Sequence, residues 1–342
     1  MIKATPNCMD PILFIDNVCD APYDLRKLET KALGGTEATI IRVAEGLSKK
    51  VPVVVIQHNR IRASNSMNVT YGCFAPDPFQ SSWQSIIVMR NASVALDARN
   101  RCKTAPIWLW LHDLFSSGYI QFIKRLVDAD IGIITVSDYQ TNLLLDICKY
   151  DPYLPSLPKI KRIYNPIDDN LKPDDTPIDI NKLLFVSSPI KGLDYTIEAF
   201  RKIQKVHPQF HLYLSNPGYS VAHEKMTQIE SPNITYLGPL VHSENLKQMR
   251  SALCLFYLNH VLPETFGLTF AEANAIGTPV LTHPFGSAPE VLSDKKQLVN
   301  THDIEAVTNR LLEWRDGNRI KVTCKDDFRL STVIKQWEEL LF

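Results

Sequence analysis

Two glutamates that flank a Phe-Gly pair are the residues of this sequence best spaced to do chemistry. Glu264 precedes the pair, and Glu272 lies eight positions further on, inside the helix-forming run 268–276. A glycine at the start of a helix leaves backbone N–H groups without partners inside the helix, and the positive end of the helix dipole lies there too. This combination predicts a site for a phosphate or diphosphate, with a carboxylate on either side to receive hydroxyl groups. A sugar nucleotide carries hydroxyls, diphosphate and hydroxyls in this order.

Paired carboxylates also serve as the acid and base of glycoside hydrolases. Eight residues of helix span about 12 Å at about 1.5 Å per residue, whereas the carboxylates of a hydrolase stand roughly 5 to 9.5 Å apart. Glu264 precedes the helix, so the segment between the two carboxylates is only partly helical. The spacing nevertheless favours two carboxylates that serve opposite ends of an extended ligand.

A second candidate is the run Gly34-Gly35-Thr36-Glu37, which opens a predicted helix over 36–47. Two adjacent glycines let the backbone approach a ligand closely, while Thr36 suits an N-cap. A plain strand-to-helix turn with a good cap explains the run equally well. None of the 13 glycines form a GxG pair, so a dinucleotide-binding fingerprint is absent.

Two further candidates follow predicted buried strands. His112 and Asp113 come directly after 107–111, and ligands of open α/β sheets bind beyond the carboxyl ends of strands. A structural, hydrogen-bonding histidine is an equally good interpretation from position alone. Lys191 follows the strand 183–187 at the start of a helix, where its ammonium group can neutralise phosphate. Without the neighbouring phosphate-type helix start it would read as an ordinary exposed lysine.

The sequence predicts neither a metal site nor a disulfide framework. The seven cysteines are odd in number and include no CxxC pair, and the histidines show no ligand spacing. Asp128 and Asp130 form a DxD, a spacing that can hold a metal bound to a nucleotide diphosphate. They precede the predicted strand 132–136 at its amino end, so we interpret them as a loop or cap.

Short apolar runs alternate with amphipathic segments along the 342 residues, which predicts an α/β doubly wound architecture with two domains. The segment 165–182 contains three prolines, five aspartates and little periodicity, as expected of a linker. We therefore predict a first domain over 1–168 and a second over 169–328. A final helix over 329–342 carries one apolar stripe. The predicted strands are 12–15, 52–57, 86–89, 107–111, 132–136, 183–187, 211–214, 234–237, 253–258 and 280–282.

The formal net charge is zero, so no basic face indicates a nucleic acid partner. The amino terminus has no apolar signal-peptide core, and no apolar run reaches the roughly 18 residues of a spanning helix. The prediction is a cytoplasmic protein. Peripheral contact with the inner face of a membrane stays open, because small basic clusters disappear in a net charge.

Taken together, these motifs resemble the retaining sugar-nucleotide glycosyltransferases of family 4 (group 1). The resemblance rests on GGTE at Gly34–Glu37, WLHD at Trp110–Asp113, SSPIKGL at Ser187–Leu193 and PETFGLTFAEANAIGTPVL at Pro263–Leu281, in the order the family has them. It covers nearly the whole chain, and the Glu-x7-Glu block followed by Ala-Ile-Gly-Thr-Pro-Val is its most specific part. It implies the GT-B fold, with two Rossmann-like domains facing across a cleft and the last helix returning to the first, acceptor-side domain.

The resemblance also implies roles for single residues. Glu264 would bind hydroxyls of the donor sugar, Glu272 the ribose hydroxyls, and Lys191 the diphosphate. His112 would lie near the sugar carbon and the acceptor, and it would form the catalytic group together with Glu264 and Lys191. The implied donor site comprises Gly34, Gly35, Ser188, Lys191, Glu264, Thr265, Phe266, Gly267, Leu268 and Glu272.

The implied reaction moves a hexose from a UDP- or GDP-sugar to a glycan, lipid-linked or other hydroxyl acceptor, with retained configuration and with neither metal nor cofactor. The family usually has an arginine shortly before Lys191, where this chain has Ser187, Ser188 and Pro189. That departure leaves one positive charge fewer and keeps two alternatives open. One is a catalytically silent subunit that binds sugar nucleotides, and the other is a nucleotide-sugar epimerase of related fold.

Overall fold

The computed structural model describes residues 10–75, 77–115, 117–149, 154, 156–216 and 231–342. The strands are β1 Ile12–Asp16, β2 Val53–Gln57, β3 Ser64–Ser66, β4 Val69–Gly72, β5 Ser85–Met89, β6 Ile107–Trp110, β7 Ile131–Thr135, β8 Ile160–Arg162, β9 Asp179–Val186, β10 His211–Asn216, β11 Ile234–Pro239, β12 Ala252–Tyr257 and β13 Val280–Thr282. The helices are α1 Leu25–Thr30, α2 Gly35–Leu47, α3 Ala92–Arg101, α4 Ser117–Asp128, α5 Asp138–Lys149, α6 Leu193–Val206, α7 His242–Arg250, α8 Leu268–Ala275, α9 Ala288–Val291, α10 Ile304–Glu313 and α11 Leu330–Leu341.

The strands form two sheets, and the predicted α/β class with two Rossmann-like units is confirmed. The first sheet has the order β3-β4-β2-β1-β5-β6-β7-β8, and the second has the order β11-β10-β9-β12-β13. Every pairing is parallel except that of β3 with β4. The central strands are buried along their whole length, which explains why they appear in the sequence as continuous apolar runs.

The chain divides into two compact units. Unit 1 consists of Met1–Leu25, Thr36–Pro166 and Leu330–Phe342, and unit 2 consists of Arg26–Gly35 and Ile167–Arg329. The predicted first domain runs without interruption to residue 168, whereas the structure groups Arg26–Gly35 with unit 2. The predicted linker 165–182 is shorter at its end, because β9 begins at Asp179.

The last helix, α11, belongs to the core of unit 1. Trp337 is fully buried, with its ring 4.7 Å from that of Trp110 and 6.0 Å from that of Phe14. A side chain at Gly46 would overlap Ile334, since an added Cβ would lie 2.4 Å from the Ile334 Cδ1 atom. The glycine in α2 therefore lets α11 pack closely against it.

Candidate active site

In unit 2 the order of the strands reverses at β9, which pairs with β10 on one side and with β12 on the other. Ligands of doubly wound sheets bind beyond the carboxyl ends of the strands at such a reversal. Lys191 follows β9 and Glu264 follows β12, so the topology brings these two predicted site residues to the same point.

Lys191 and Glu264 form an ion pair at this point. The Lys191 Nζ atom lies 2.9 Å from Oε1 and 2.7 Å from Oε2 of Glu264. The hydroxyl of Tyr257, the last residue of β12, donates to the same carboxylate at 2.6 Å. Burial, and then the Glu264 charge, raise the pKa of Tyr257 well above its ordinary value, so the phenol keeps the proton that it donates.

The loop that carries Glu264 is held by a second loop, around Gly286 and Ser287. The backbone N–H of Ser287 donates to the Glu264 carbonyl at 3.0 Å, and its hydroxyl donates to the Phe266 carbonyl at 2.9 Å. Gly286 has φ +63°, and an added Cβ would lie 2.7 Å from the Glu264 carbonyl oxygen. Only glycine tolerates this conformation and this approach together, so the position of Glu264 depends on Gly286.

Helix α8 begins directly after this loop. Gly267 occupies the N-cap position with φ +80°, and no side chain in the described part of the chain caps the helix. Gly35 lies against the first turn, where an added Cβ would come within 3.1 Å of the Leu268 Cδ1 atom. The first turn of α8 thus has the features of an anion site: backbone N–H groups without a cap and glycine backbone close by.

The remaining predicted donor residues lie in the loops that precede α2, α6 and α8. The Ser188 carbonyl accepts from the Lys191 N–H at 3.0 Å in the turn before α6, and Gly34 directly precedes Gly35. Gly192 has φ +80°, and an added Cβ would lie 3.0 Å from the Asn259 Cα atom. Thr265 stands between Glu264 and the buried Phe266.

Glu272 lies within α8 and is 5% exposed. Its Oε1 atom is 2.8 Å from the Nε2 atom of His242, the first residue of α7. His242 was not predicted, because it was considered only as a possible metal ligand. Tyr257 was also missed, since it appeared only as the end of an apolar strand. Only the fold reveals these two partners.

Unit 1 places a different polar cluster at the carboxyl ends of its strands. The Arg90 guanidinium lies 3.9 Å from Asp16, 3.9 Å from Glu37 and 4.0 Å from Asp113. Asp16 is fully buried, and its other carboxylate oxygen accepts from the Tyr23 hydroxyl at 2.9 Å. Burial raises the pKa of Glu37. Arg90 and Asp16 were not predicted, although each stands at or just after the end of a buried strand.

His112 lies beside this cluster and is buried. Its pKa is well below the ordinary value of 6.5, first because of burial and second because of the Arg90 charge. The imidazole is therefore neutral near neutral pH, and its ring packs 4.7 Å from that of Trp110. It suits hydrogen bonding as a neutral ring rather than the role of a cation.

Within the described residues, no group of three or more His, Cys, Asp or Glu side chains is arranged to hold a metal ion. Among the helices in the described part of the chain, none has the length and apolarity needed to traverse a bilayer. Asp128 ends α4 and Asp130 precedes β7 at its amino end, opposite to the edge where unit 1 carries Arg90 and His112.

Comparison with known proteins extends this description. Residues 172–325 match the family model of the group 1 glycosyl transferases. An uncharacterised 41.2 kDa protein in the cps region of Klebsiella pneumoniae is 28% identical over 167 residues, which cover 44% of this chain and 42% of that protein. The chain thus aligns with less than half of this curated relative.

Two solved structures show the same fold at low sequence identity. Sucrose-phosphate synthase from Thermosynechococcus elongatus has a TM-score of 0.73 and 16% identity, with 97% of this chain and 98% of that chain covered. The pneumococcal O-GlcNAc transferase GtfA, solved with UDP and GlcNAc, has a TM-score of 0.57 and 17% identity, with 75% of this chain and 56% of that chain covered. The chain has the fold of these two structures, and its residues 172–325 match the family model of the group 1 glycosyl transferases.

Proposed function

We propose that this chain is an active glycosyltransferase that moves a hexose from a nucleotide diphosphate sugar to a hydroxyl acceptor. The observation that carries the proposal is the meeting of Lys191, Glu264 and the uncapped start of α8 at one strand reversal of unit 2. An ammonium group, a hydroxyl-binding carboxylate and free helix N–H groups are what a diphosphate joined to a sugar requires.

In this proposal the diphosphate lies at the first turn of α8, which Gly267 precedes as the N-cap residue and against which Gly35 packs. Lys191 contacts the diphosphate as a point charge. Glu264 accepts sugar hydroxyls on one side, and Glu272 accepts ribose hydroxyls on the other. The Tyr257 hydroxyl keeps the Glu264 carboxylate in one orientation while it does so.

The chemistry follows from where charge develops. As the bond between the sugar carbon and the diphosphate breaks, negative charge grows on the leaving oxygen and positive charge grows on the sugar ring. Donors that are already in place when this charge appears lower the barrier without reorganising. Lys191 and the helix N–H groups supply such stabilisation without a metal, and each charge-assisted hydrogen bond contributes about 1.5–3 kcal/mol.

Retention of configuration and the role of His112 beside the sugar carbon are part of the same proposal, and both rest on the family resemblance. The neutral imidazole of His112 is compatible with a hydrogen bond to a substrate hydroxyl. UDP is the first nucleotide to test, because the GtfA structure and a TarM structure of this fold were solved with UDP. Glycans are the first acceptors to test, and lipid-linked acceptors in vesicles follow.

The direct experiment measures sugar transfer from UDP-, GDP- and ADP-sugars by the wild-type chain and by Lys191→Ala and Glu272→Ala. We expect both variants to keep the wild-type melting temperature and to lose about 10- to 100-fold in kcat/KM, as the loss of a charge-assisted hydrogen bond implies. Lys247→Ala is the matched control, since Lys247 forms an exposed ion pair with Glu244 on α7. Near wild-type transfer by Lys191→Ala at low donor concentration would refute the assigned site.

Two outcomes would replace transfer with another activity. Tight nucleotide binding without donor consumption against any acceptor would identify a silent binding subunit, for which the missing arginine before Lys191 is the one argument. Conversion of the donor sugar with no acceptor present would identify an epimerase. If transfer occurs, the anomeric proton coupling of the glycoside product, measured by NMR, decides between retention and inversion.

A further inference from the structure

His242 and Glu272 come from different helices and meet at hydrogen-bond distance. The Nε2 atom of His242 lies 2.8 Å from Oε1 of Glu272, and 33% of the His242 side chain is exposed against 6% of the Glu272 side chain. The buried carboxylate therefore has an imidazole partner that faces solvent on its other side.

The direction of this hydrogen bond follows from the groups involved. A carboxylate only accepts, so the Nε2 atom of His242 carries the proton and donates it. One lone pair of Oε1 is thereby occupied, and the rotation of the carboxylate about its last bond is restricted.

A second buried polar side chain of α8 shows what a purely structural role looks like there. Asn274 is fully buried, and its amide bonds to Gln297, Thr278 and Ser293, all of them inside unit 2. Glu272 instead bonds to His242 at the start of α7, and a third of that imidazole is exposed.

We propose that His242 is a positioning residue for Glu272 and orients the carboxylate so that it accepts both ribose hydroxyls of the donor nucleotide. This inference rests on the proposed function and adds a residue that sets nucleotide affinity. Loss of His242 should therefore weaken only the part of the nucleotide affinity that depends on the ribose hydroxyls.

The test compares UDP with its 2′,3′-dideoxy analogue by calorimetry. For His242→Ala we expect the Kd of UDP to rise about 10-fold, as loss of a hydrogen bond to a charged group implies. The Kd of the dideoxy analogue, which is already weaker, stays the same. His242→Gln, which retains an N–H donor, restores most of the UDP affinity. With a donor sugar, KM rises in the alanine variant while kcat changes little.

His211→Ala is the matched control. His211 Nε2 also lies 2.8 Å from a side-chain oxygen of unit 2, that of Thr235, but it stands at the amino end of β10, opposite to the proposed site. We expect it to leave both Kd values unchanged. In the background of Glu272→Ala, the His242→Ala change should have no further effect on UDP binding.

The outcomes separate the two proposals. Equal weakening of UDP and the dideoxy analogue by His242→Ala, or no weakening of either, overturns the positioning role alone. If the alanine variant does not fold, His242→Gln decides, since the inference then requires near wild-type affinity and discrimination between the two analogues. If the wild-type chain binds none of UDP, GDP or their sugars, the proposed function fails and this inference fails with it.

Discussion

The two units present opposite electrostatic patterns at the same edge of similar sheets. In unit 2, one lysine meets one carboxylate at 2.7 Å beside the start of a helix. In unit 1, one arginine is shared by three carboxylates at 3.9–4.0 Å. Excess carboxylate disfavours a bound phosphate, whereas our proposal places the donor diphosphate at the edge of unit 2. The shared topology supplies the location of a site, and the side chains after each strand decide which ligand group suits it.

The largest effect that we expect concerns Arg90. Arg90→Leu leaves Asp16 fully buried without its cation, which destabilises unit 1 by about 3 kcal/mol. Urea unfolding followed by tryptophan fluorescence measures this change, because Trp83, Trp108, Trp110 and Trp337 lie in unit 1. Lys124→Ala, which removes an exposed ion pair with Asp128, is the control and should shift stability by at most about 0.5 kcal/mol. Equal midpoints for the two variants would contradict a charge network in unit 1.

The next effect concerns Gly286 in unit 2. Gly286→Ala places a Cβ against the backbone of Glu264 and displaces the carboxylate, so kcat/KM for transfer should fall on the order of 10²-fold. Gly317→Ala is the control, because Gly317 has φ +103° but no atom near its added Cβ. If the two variants lose the same activity, backbone strain alone explains the loss, and the contact with Glu264 does not.

A smaller effect concerns a contact that both units contain, a tyrosine hydroxyl that donates to a glutamate. Tyr257 in unit 2 donates to Glu264, and Tyr71 in unit 1 donates to Glu45 at 2.9 Å. Tyr257→Phe should lower kcat/KM about 10-fold, because it removes a hydrogen bond to a charged group. Tyr71→Phe should lower stability without changing kcat/KM. Steady-state kinetics and thermal melts of both variants check the difference.

The smallest effect that we expect concerns the stability of unit 2 in acid. His260 and His283 of unit 2 have pKa values below the ordinary value of 6.5, chiefly because of burial and then because of neighbouring imidazoles, including that of His302. The unfolded chain therefore binds protons first. The stability that depends on these neutral rings is complete above about pH 6.5 and falls as pH drops towards the folded-state pKa values.

The His260 and His302 rings lie 4.2 Å apart, and His302 is exposed. His302→Asn removes a repulsive neighbour and should reduce the loss of unfolding free energy in acid by about a few tenths of a kcal/mol. Melting temperatures of wild type and variant at about pH 7.5 and about pH 5.5 measure it. If the melting temperature falls by the same amount between the two pH values in wild type and in the variant, burial alone sets these pKa values.

The sequence predicted most of the fold because buried parallel strands are continuous apolar runs. Strands 280–282 and 107–111 agree with β13 and β6 to within one residue. It missed β3, Ser64–Ser66, because a short polar strand at a sheet edge has no apolar pattern. The same limit applied to β8, Ile160–Arg162, which is only half-buried.

The candidate site was predictable where one motif contains its parts. Glu264, Gly267 and Glu272 stand in one stretch, and Lys191 follows a recognisable strand. The hydrogen-bond partners of the two glutamates were not predictable, because the fold and not the motif brings them to these carboxylates. His242 is 30 residues from Glu272, and nothing in its neighbourhood marks it as a partner. The roles assigned to the site residues stay predictions until the variants are measured.

The packing of Trp337 against Trp110 and Phe14 imposes an order on biosynthesis. A ribosome releases the strands of unit 1 first, yet α11, which completes their core, emerges only after all of Ile167–Arg329 has been made. During this time the surface of the amino-terminal sheet that contacts α11 stays uncovered, while unit 2 can already fold. Chaperone demand should be concentrated in that interval.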